Sequence, residues 1–215
     1  MIKKLPLIQL EIDPENQSFV SAISIVESPA IESSFIAFSD ELKQNKHQKF
    51  NLSSDEKMEL IGAAMIPNVP IYRFDEKVGE FAVQFSEKTI REIAQVFSKK
   101  GFNKNLNLEH SKVNANSYVF QSYITDLDKG IAAPKGIDVP NGTWIVGVKV
   151  EDAEVWKEIK SGKKTGFSIE GIFEFIDTEK MIDFQFNKLI PSKDLISFSK
   201  ELESELDSII KILNL

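Results

Sequence analysis

Apolar and polar residues alternate in short runs along most of the chain, the period of half-buried strands. Residues 5–12 alternate in part, a polar turn follows at Asp13-Pro14-Glu15-Asn16, and residues 19–26 form a second run that Ser28-Pro29 breaks. Residues 35–38 are a short apolar patch, and residues 59–66 are strand-like up to Pro67 and Pro70. Residues 71–74 and 80–85 flank a turn at 75–79 and predict a hairpin. Further strands are expected over 106–110, 119–127, 143–150, 165–176 and 181–190, with a loop at 129–142. Two stretches change to the helical period. Ile90, Ile93, Ala94 and Phe97 make one apolar stripe behind Ser86, an N-cap candidate, although Thr89 stands where a capping box wants Glu or Gln. Lys99, Lys100 and Gly101 close that helix. Residues 152–161, ended by Gly162, put Val155, Trp156 and Ile159 on one face, as core residues; Trp144 is read as core too.

After Pro191, Leu195, Phe198, Leu202, Leu206, Ile209, Ile210 and Leu213 fall on one face of a long amphipathic helix. It is suited to packing on the body of the protein or on a partner, which leaves self-association open. Residues 39–55 are polar and Lys-rich and read as a mobile loop, and as a place for self-cleavage. The pattern predicts an α+β fold: a mostly antiparallel, barrel-like sheet with inserted helices over 1–190, then the helix over 191–215.

Composition narrows the chemistry. A chain of 215 residues can bury roughly 70% of its unfolded surface, so its core needs no staples. It has no Cys, which removes disulfides, thiolate metal sites and a cysteine nucleophile, and only two His, which speaks against a histidine metal cage. We expect no cofactor and no metal. The net charge is −7, and Arg73 and Arg91 are the only arginines, a poor outfit for nucleic acid. No apolar run nears the ~18–20 residues of a membrane span, and Pro6, Glu11 and Asp13 spoil a signal peptide. We expect a soluble protein of a reducing, cytoplasmic compartment.

Few residues could carry catalysis. His47 lies in the polar stretch Gln44-Asn45-Lys46-His47-Gln48-Lys49 and reads as solvated. His110 closes the apolar-alternating Asn107-Leu108-Glu109-His110-Ser111; it is either a structural strand-end residue or the one imidazole placed to act as a base near neutral pH. Gly166-Phe167-Ser168-Ile169-Glu170-Gly171 sets a serine in a strand between two glycines. Those glycines either relieve packing or let a substrate carbonyl come close to a nucleophile, leaving backbone N–H groups for an oxyanion. Arg73 is either half of a structural ion pair or an aid to a carboxylate or oxyanion.

Gly-Phe-Ser-Ile-Glu-Gly, after Trp156-Lys157-Glu158-Ile159-Lys160-Ser161-Gly162, resembles the nucleophile region of the caudovirus prohead proteases, in particular their phage serine protease branch. Other segments match in order: residues 21–32, residues 64–73, Glu109-His110, and residues 142–150. The resemblance covers roughly residues 20–176. It implies a capsid-maturation serine endopeptidase, akin in fold and Ser-His chemistry to the herpesvirus assemblins. Such an enzyme works in the host bacterial cytoplasm, inside the assembling prohead, on scaffold and major capsid proteins and at times on itself, with no nucleic-acid or membrane partner. Ser168 would be the nucleophile and His110 its base. The third member is open. Glu170 leaves the same strand face as Ser168, Asp126 ends the Tyr123-Ile124-Thr125-Asp126 strand, and Glu174 and Asp183 follow the nucleophile; Glu109 would point away from His110 on a shared strand. The assemblins use a second His, and here none is well placed. The alternative is a non-catalytic internal scaffold component of the same fold.

Overall fold

The hairpin expected around residues 75–79 shows how locally this chain is written. Strands β5 (Ile71–Asp75) and β6 (Gly79–Phe85) pair antiparallel, with Asp75 opposite Gly79. Asp75 Oδ1 accepts from Lys77 N at 2.8 Å and Val78 N at 2.9 Å, and Gly79 takes φ +87, a conformation cheap only for glycine. The structure is a computed structural model, and it describes residues 2–30, 36–38 and 57–186. The loop expected at 39–55, His47, the helix at 191–215 and the end of the 181–190 strand lie outside the described residues.

The remaining strands are β1 (Ile2–Glu11), β2 (Val20–Val26), β3 (Ile36–Phe38), β4 (Glu59–Met65), β7 (Leu106–Leu108), β8 (Ser117–Ile124), β9 (Trp144–Val150), β10 (Gly166–Gly171) and β11 (Glu174–Gln185). The helices are α1 (Glu87–Lys99) and α2 (Ala153–Lys160). The strands form three sheets, in the orders β11-β1-β6-β5, β10-β2-β7 and β3-β4-β9-β8. The fold is therefore α+β as expected, but among the described residues no sheet closes into a barrel, and β2 and β7 run parallel. At residue 171 the single strand expected over 165–176 is interrupted. The register shifts between Glu170 and Gly171, and Ile172 N donates to Phe19 O at 3.2 Å. The chain then starts β11, which runs without a break across the two strands expected at 165–176 and 181–190.

Contacts divide the described residues into two compact units: residues 2–9, 70–84 and 177–186 in one, residues 10–30, 36–38, 57–69 and 85–176 in the other. In the first unit Tyr72 stands edge-on to Phe186, ring centroids 5.1 Å apart, and its hydroxyl donates to Glu80 Oε1 at 3.0 Å. Arg73 belongs to this unit and donates to the Tyr72 carbonyl at 2.7 Å; burial lowers its pKa to about 10.

The second unit holds the larger core. Ser86 caps α1, accepting from Thr89 N at 3.1 Å, while the Thr89 hydroxyl bonds the Ser86 hydroxyl at 2.8 Å in place of a capping-box Glu. Ile90, Ile93, Ala94 and Phe97 are all buried, as their spacing predicts, and α1 packs on β2, β8 and β9. Asp152 caps α2 through Glu154 N and Val155 N, and Val155, Trp156 and Ile159 are buried. Trp144 is fully buried with its ring edge-on to Phe97 at 5.3 Å. Beneath them, Ile23, Ile25, Leu106 and Phe167 give the β10-β2-β7 sheet one apolar face. Its other face is polar.

Candidate active site

Register makes that polar face. Ser168 on β10 lies opposite Ser24 on β2, and Ser24 lies opposite Asn107 on β7. Paired residues point to the same side of a sheet, so Ser168, Ser24 and Asn107 form one row across three strands. Glu170, two residues beyond Ser168, adds its carboxylate to the same side.

His110 reaches this face from a turn. The strand expected to run to His110 stops at Leu108, and Glu109 and His110 both adopt left-handed backbone, φ +51 and +53. Such non-glycine conformations cost of order 1–3 kcal/mol each and persist only where the surroundings hold them. Here Ser111 N bonds Leu108 O at 3.0 Å, and the returning chain bonds β7 through Ala115 N to Leu106 O at 3.0 Å. The Glu109 carboxylate accepts from Glu27 N at 2.9 Å and pairs with Lys164, a lysine only 6% exposed. Glu109 is thus turned away from the ring by the turn, not by strand alternation, and it anchors that turn to β2 and to the approach of β10.

The ring then meets the row. His110 Nδ1 stands 3.3 Å from Glu170 Oε1 and 3.2 Å from Ser24 Oγ. Glu170 Oε1 also accepts from Asn107 Nδ2 at 2.5 Å and from the Ser24 hydroxyl. Burial alone would raise the Glu170 pKa, but the hydrogen bonds from His110, Ser24 and Asn107 and the charge of His110 outweigh it, and the net shift is downward. A carboxylate at Nδ1 selects the tautomer with its proton there and leaves Nε2 as the basic nitrogen. Ser168 is largely buried, directly beside Ser24, and among the described residues no hydrogen bond engages its hydroxyl. A cleft of about 310 Å³, lined by Ser21, Ala22, Asn107, Ser111, Lys112 and Asn114 among others, shares Asn107 with this group.

Of the sequence candidates, the structure brings His110, Glu170 and Ser168 to one face. Asp126 is engaged elsewhere: Lys129 pairs with its carboxylate and, with the hydrogen bond as the main cause, lowers its pKa. Glu174 is an exposed residue of β11, and Asp183 and Arg73 belong to the other unit. Gly171 has a packing role, because a Cβ there would lie 2.5 Å from Phe19 O. Among the described residues no three His, Asp or Glu side chains converge as a metal site would need. Sequence reasoning missed Ser24 and Asn107. Their signal was present: each is a polar residue between two large apolar ones in a strand, in Ile23-Ser24-Ile25 and Leu106-Asn107-Leu108.

Comparison with known proteins fits these residues into a lineage. The family described as "Putative phage serine protease XkdF" matches residues 49–177, more than half of the chain. The chain belongs to this family. The matched stretch of this phage serine protease family holds Asn107, His110, Ser168 and Glu170, and starts after Ser24. A similar protein is the phage-like element PBSX protein XkdF of Bacillus subtilis (strain 168), 24% identical over 164 residues, which cover 74% of this chain and 54% of that protein. The chain thus spans about half the length of the curated relative it matches. No solved structure matches.

Proposed function

We propose that this member of the phage serine protease family is a capsid-maturation endopeptidase that cuts scaffold and capsid-protein segments through Ser168 and His110. The observation that carries the reading is the arrangement on one sheet face: a serine hydroxyl that no hydrogen bond engages among the described residues, an imidazole, and a carboxylate at the Nδ1 side of that imidazole. In the reaction, Ser168 Oγ attacks the scissile carbonyl carbon while its proton passes to His110 Nε2. The tetrahedral adduct collapses to an acyl-enzyme as the amine leaves with that proton. Water then repeats the sequence and restores Ser168. Glu170 keeps the Nδ1 proton in place and balances the charge of the imidazolium. The cleft beside Asn107 and Ser111 receives the peptide. On this reading the β framework is of the prohead-protease kind, related to the assemblins.

The test pairs wild type and Ser168→Ala with the phage's scaffold and capsid proteins, followed by mass spectrometry of the products. We expect cleavage by wild type, its loss in Ser168→Ala, a drop of about 10²-fold or more in His110→Ala, and labelling of Ser168 by a serine-directed phosphonate. Cleavage that survives in Ser168→Ala refutes the nucleophile. No labelling, together with unchanged capsid assembly in Ser168→Ala, establishes a non-catalytic internal component instead.

A further inference from the structure

The three contacts around Ser24 do not behave like a nucleophile's. Ser24 is fully buried, 0% exposed, so water cannot satisfy its hydroxyl. Its Oγ lies 2.6 Å from Asn107 Oδ1 and 3.2 Å from His110 Nδ1, and it contacts Glu170 Oε1. A hydroxyl has one proton and two lone pairs. The proton serves Asn107 Oδ1 or Glu170 Oε1, both acceptors, and a lone pair remains for the Nδ1–H of the ring. Ser24 therefore stands on the proton-bearing side of the imidazole, with the carboxylate, and not on the Nε2 side where a nucleophile hands over its proton.

Asn107 closes the figure. Its Oδ1 takes the Ser24 contact while its Nδ2 donates to Glu170 Oε1 at 2.5 Å. Asn107 Nδ2 from β7 and, when its one proton turns that way, the Ser24 hydroxyl from β2 thus meet the one carboxylate oxygen that faces His110. Glu170 needs such fixing. It sits on β10, an outer strand of its sheet, with a side chain 31% exposed and three rotatable bonds. Left to water it would spread over several rotamers and spend little time at the ring.

We propose that Ser24 and Asn107 are positioning residues of the site: together they hold the Glu170 carboxylate at His110 Nδ1 and so fix the tautomer and orientation that make Nε2 the base. The inference rests on the Ser168–His110 reading for its catalytic consequence, though not for its geometry. The groups facing Glu170 are His110 from the turn, Ser24 from β2 and Asn107 from β7.

The experiment has two arms, on the full chain. In the first, kcat and KM for a capsid-derived peptide are measured for Ser24→Ala, Ser24→Thr, Asn107→Leu and Asn107→Asp, each shown to be folded by circular dichroism. We expect Ser24→Ala and Asn107→Leu to lower kcat about tenfold or more, a fraction of the roughly 10²–10⁴ that a general base supplies, with KM changed less than about twofold. Ser24→Thr, which keeps the hydroxyl on a β-branched side chain suited to a strand, regains most of the loss. In the second arm the tautomer of the His110 ring is read from its nitrogen chemical shifts in a Ser168→Ala, His47→Gln background, where one histidine remains and no self-cleavage occurs. Loosening the carboxylate is expected to raise the share of the tautomer with its proton on Nε2 relative to that background. Folded Ser24→Ala and Asn107→Leu proteins with unaltered kcat and an unaltered tautomer signature overturn the inference. Activity retained by Ser168→Ala overturns the protease reading instead, and the tautomer signature still decides whether the cradle acts on the ring.

Discussion

Glu170 is where burial and hydrogen bonding pull in opposite directions, and the outcome has a pH signature. Burial favours its neutral form, but the bonds from His110, Ser24 and Asn107 win, and its pKa in the folded chain falls below the ordinary carboxylate value. A group more acidic when folded adds stability while it is ionised. That contribution is complete above its unfolded value, about 4.3 for Glu, and is lost as the pH drops through the lower folded value. Urea unfolding of wild type and Glu170→Gln should therefore differ most near pH 7 and converge below about pH 4. A constant gap across that range would mean that the carboxylate's charge contributes nothing. At this scale much was legible. The spacing of two between Ser168 and Glu170 fixes a shared face, and the shortage of imidazoles singles out His110. Ser24 and Asn107 were not legible as partners, because alternation places a residue on a face but does not say which strands will be neighbours.

Elements depend on single residues that allow backbones to meet. A Cβ on Gly171 would lie 2.5 Å from Phe19 O and 2.8 Å from Val20 Cα, both main-chain atoms with no rotamer to escape into. Gly171→Ala must push β10 off the start of β2. Overpacking of this kind costs ~1–3 kcal/mol, read as a lower urea midpoint. Because Glu170 is the adjacent residue, the same variant should also lose the proposed peptidase activity beyond its loss of stability. The sequence reading ran one strand from 165 to 176, since apolar alternation continues through Gly171; the shift there is caused by the partner strand, which a local pattern cannot contain. The turn at Glu109 and His110 was hidden for a similar reason. A left-handed backbone is costly for a non-glycine residue, and this turn is held in it through the Glu109 carboxylate, by Glu27 N and by Lys164.

For the larger unit as a body, α1 packs on strands of two sheets, on β2 of one and on β8 and β9 of the other. Phe97 is 1% exposed, edge-on to Trp144 at 5.3 Å and to Phe102 at 6.0 Å. Phe97→Ala should cost ~3–5 kcal/mol, seen in denaturant melts followed by tryptophan fluorescence, and a loss under about 1 kcal/mol would show that the surroundings close over the gap. Helices, caps and the 75–79 hairpin could be read in advance because each is settled within a few neighbouring residues. The barrel-like sheet could not, because three sheets and one barrel use the same alternation and differ only in which edges meet. The order of strands in a sheet has a consequence for when this polar row comes together. The imidazole, its anchoring turn and the buried hydroxyl at position 24 all precede β10 in the order of synthesis, while the Ser168 hydroxyl and the Glu170 carboxylate arrive together on that outer strand. Until β10 is laid against β2, a growing polypeptide holds only half of the row, and that one pairing completes it.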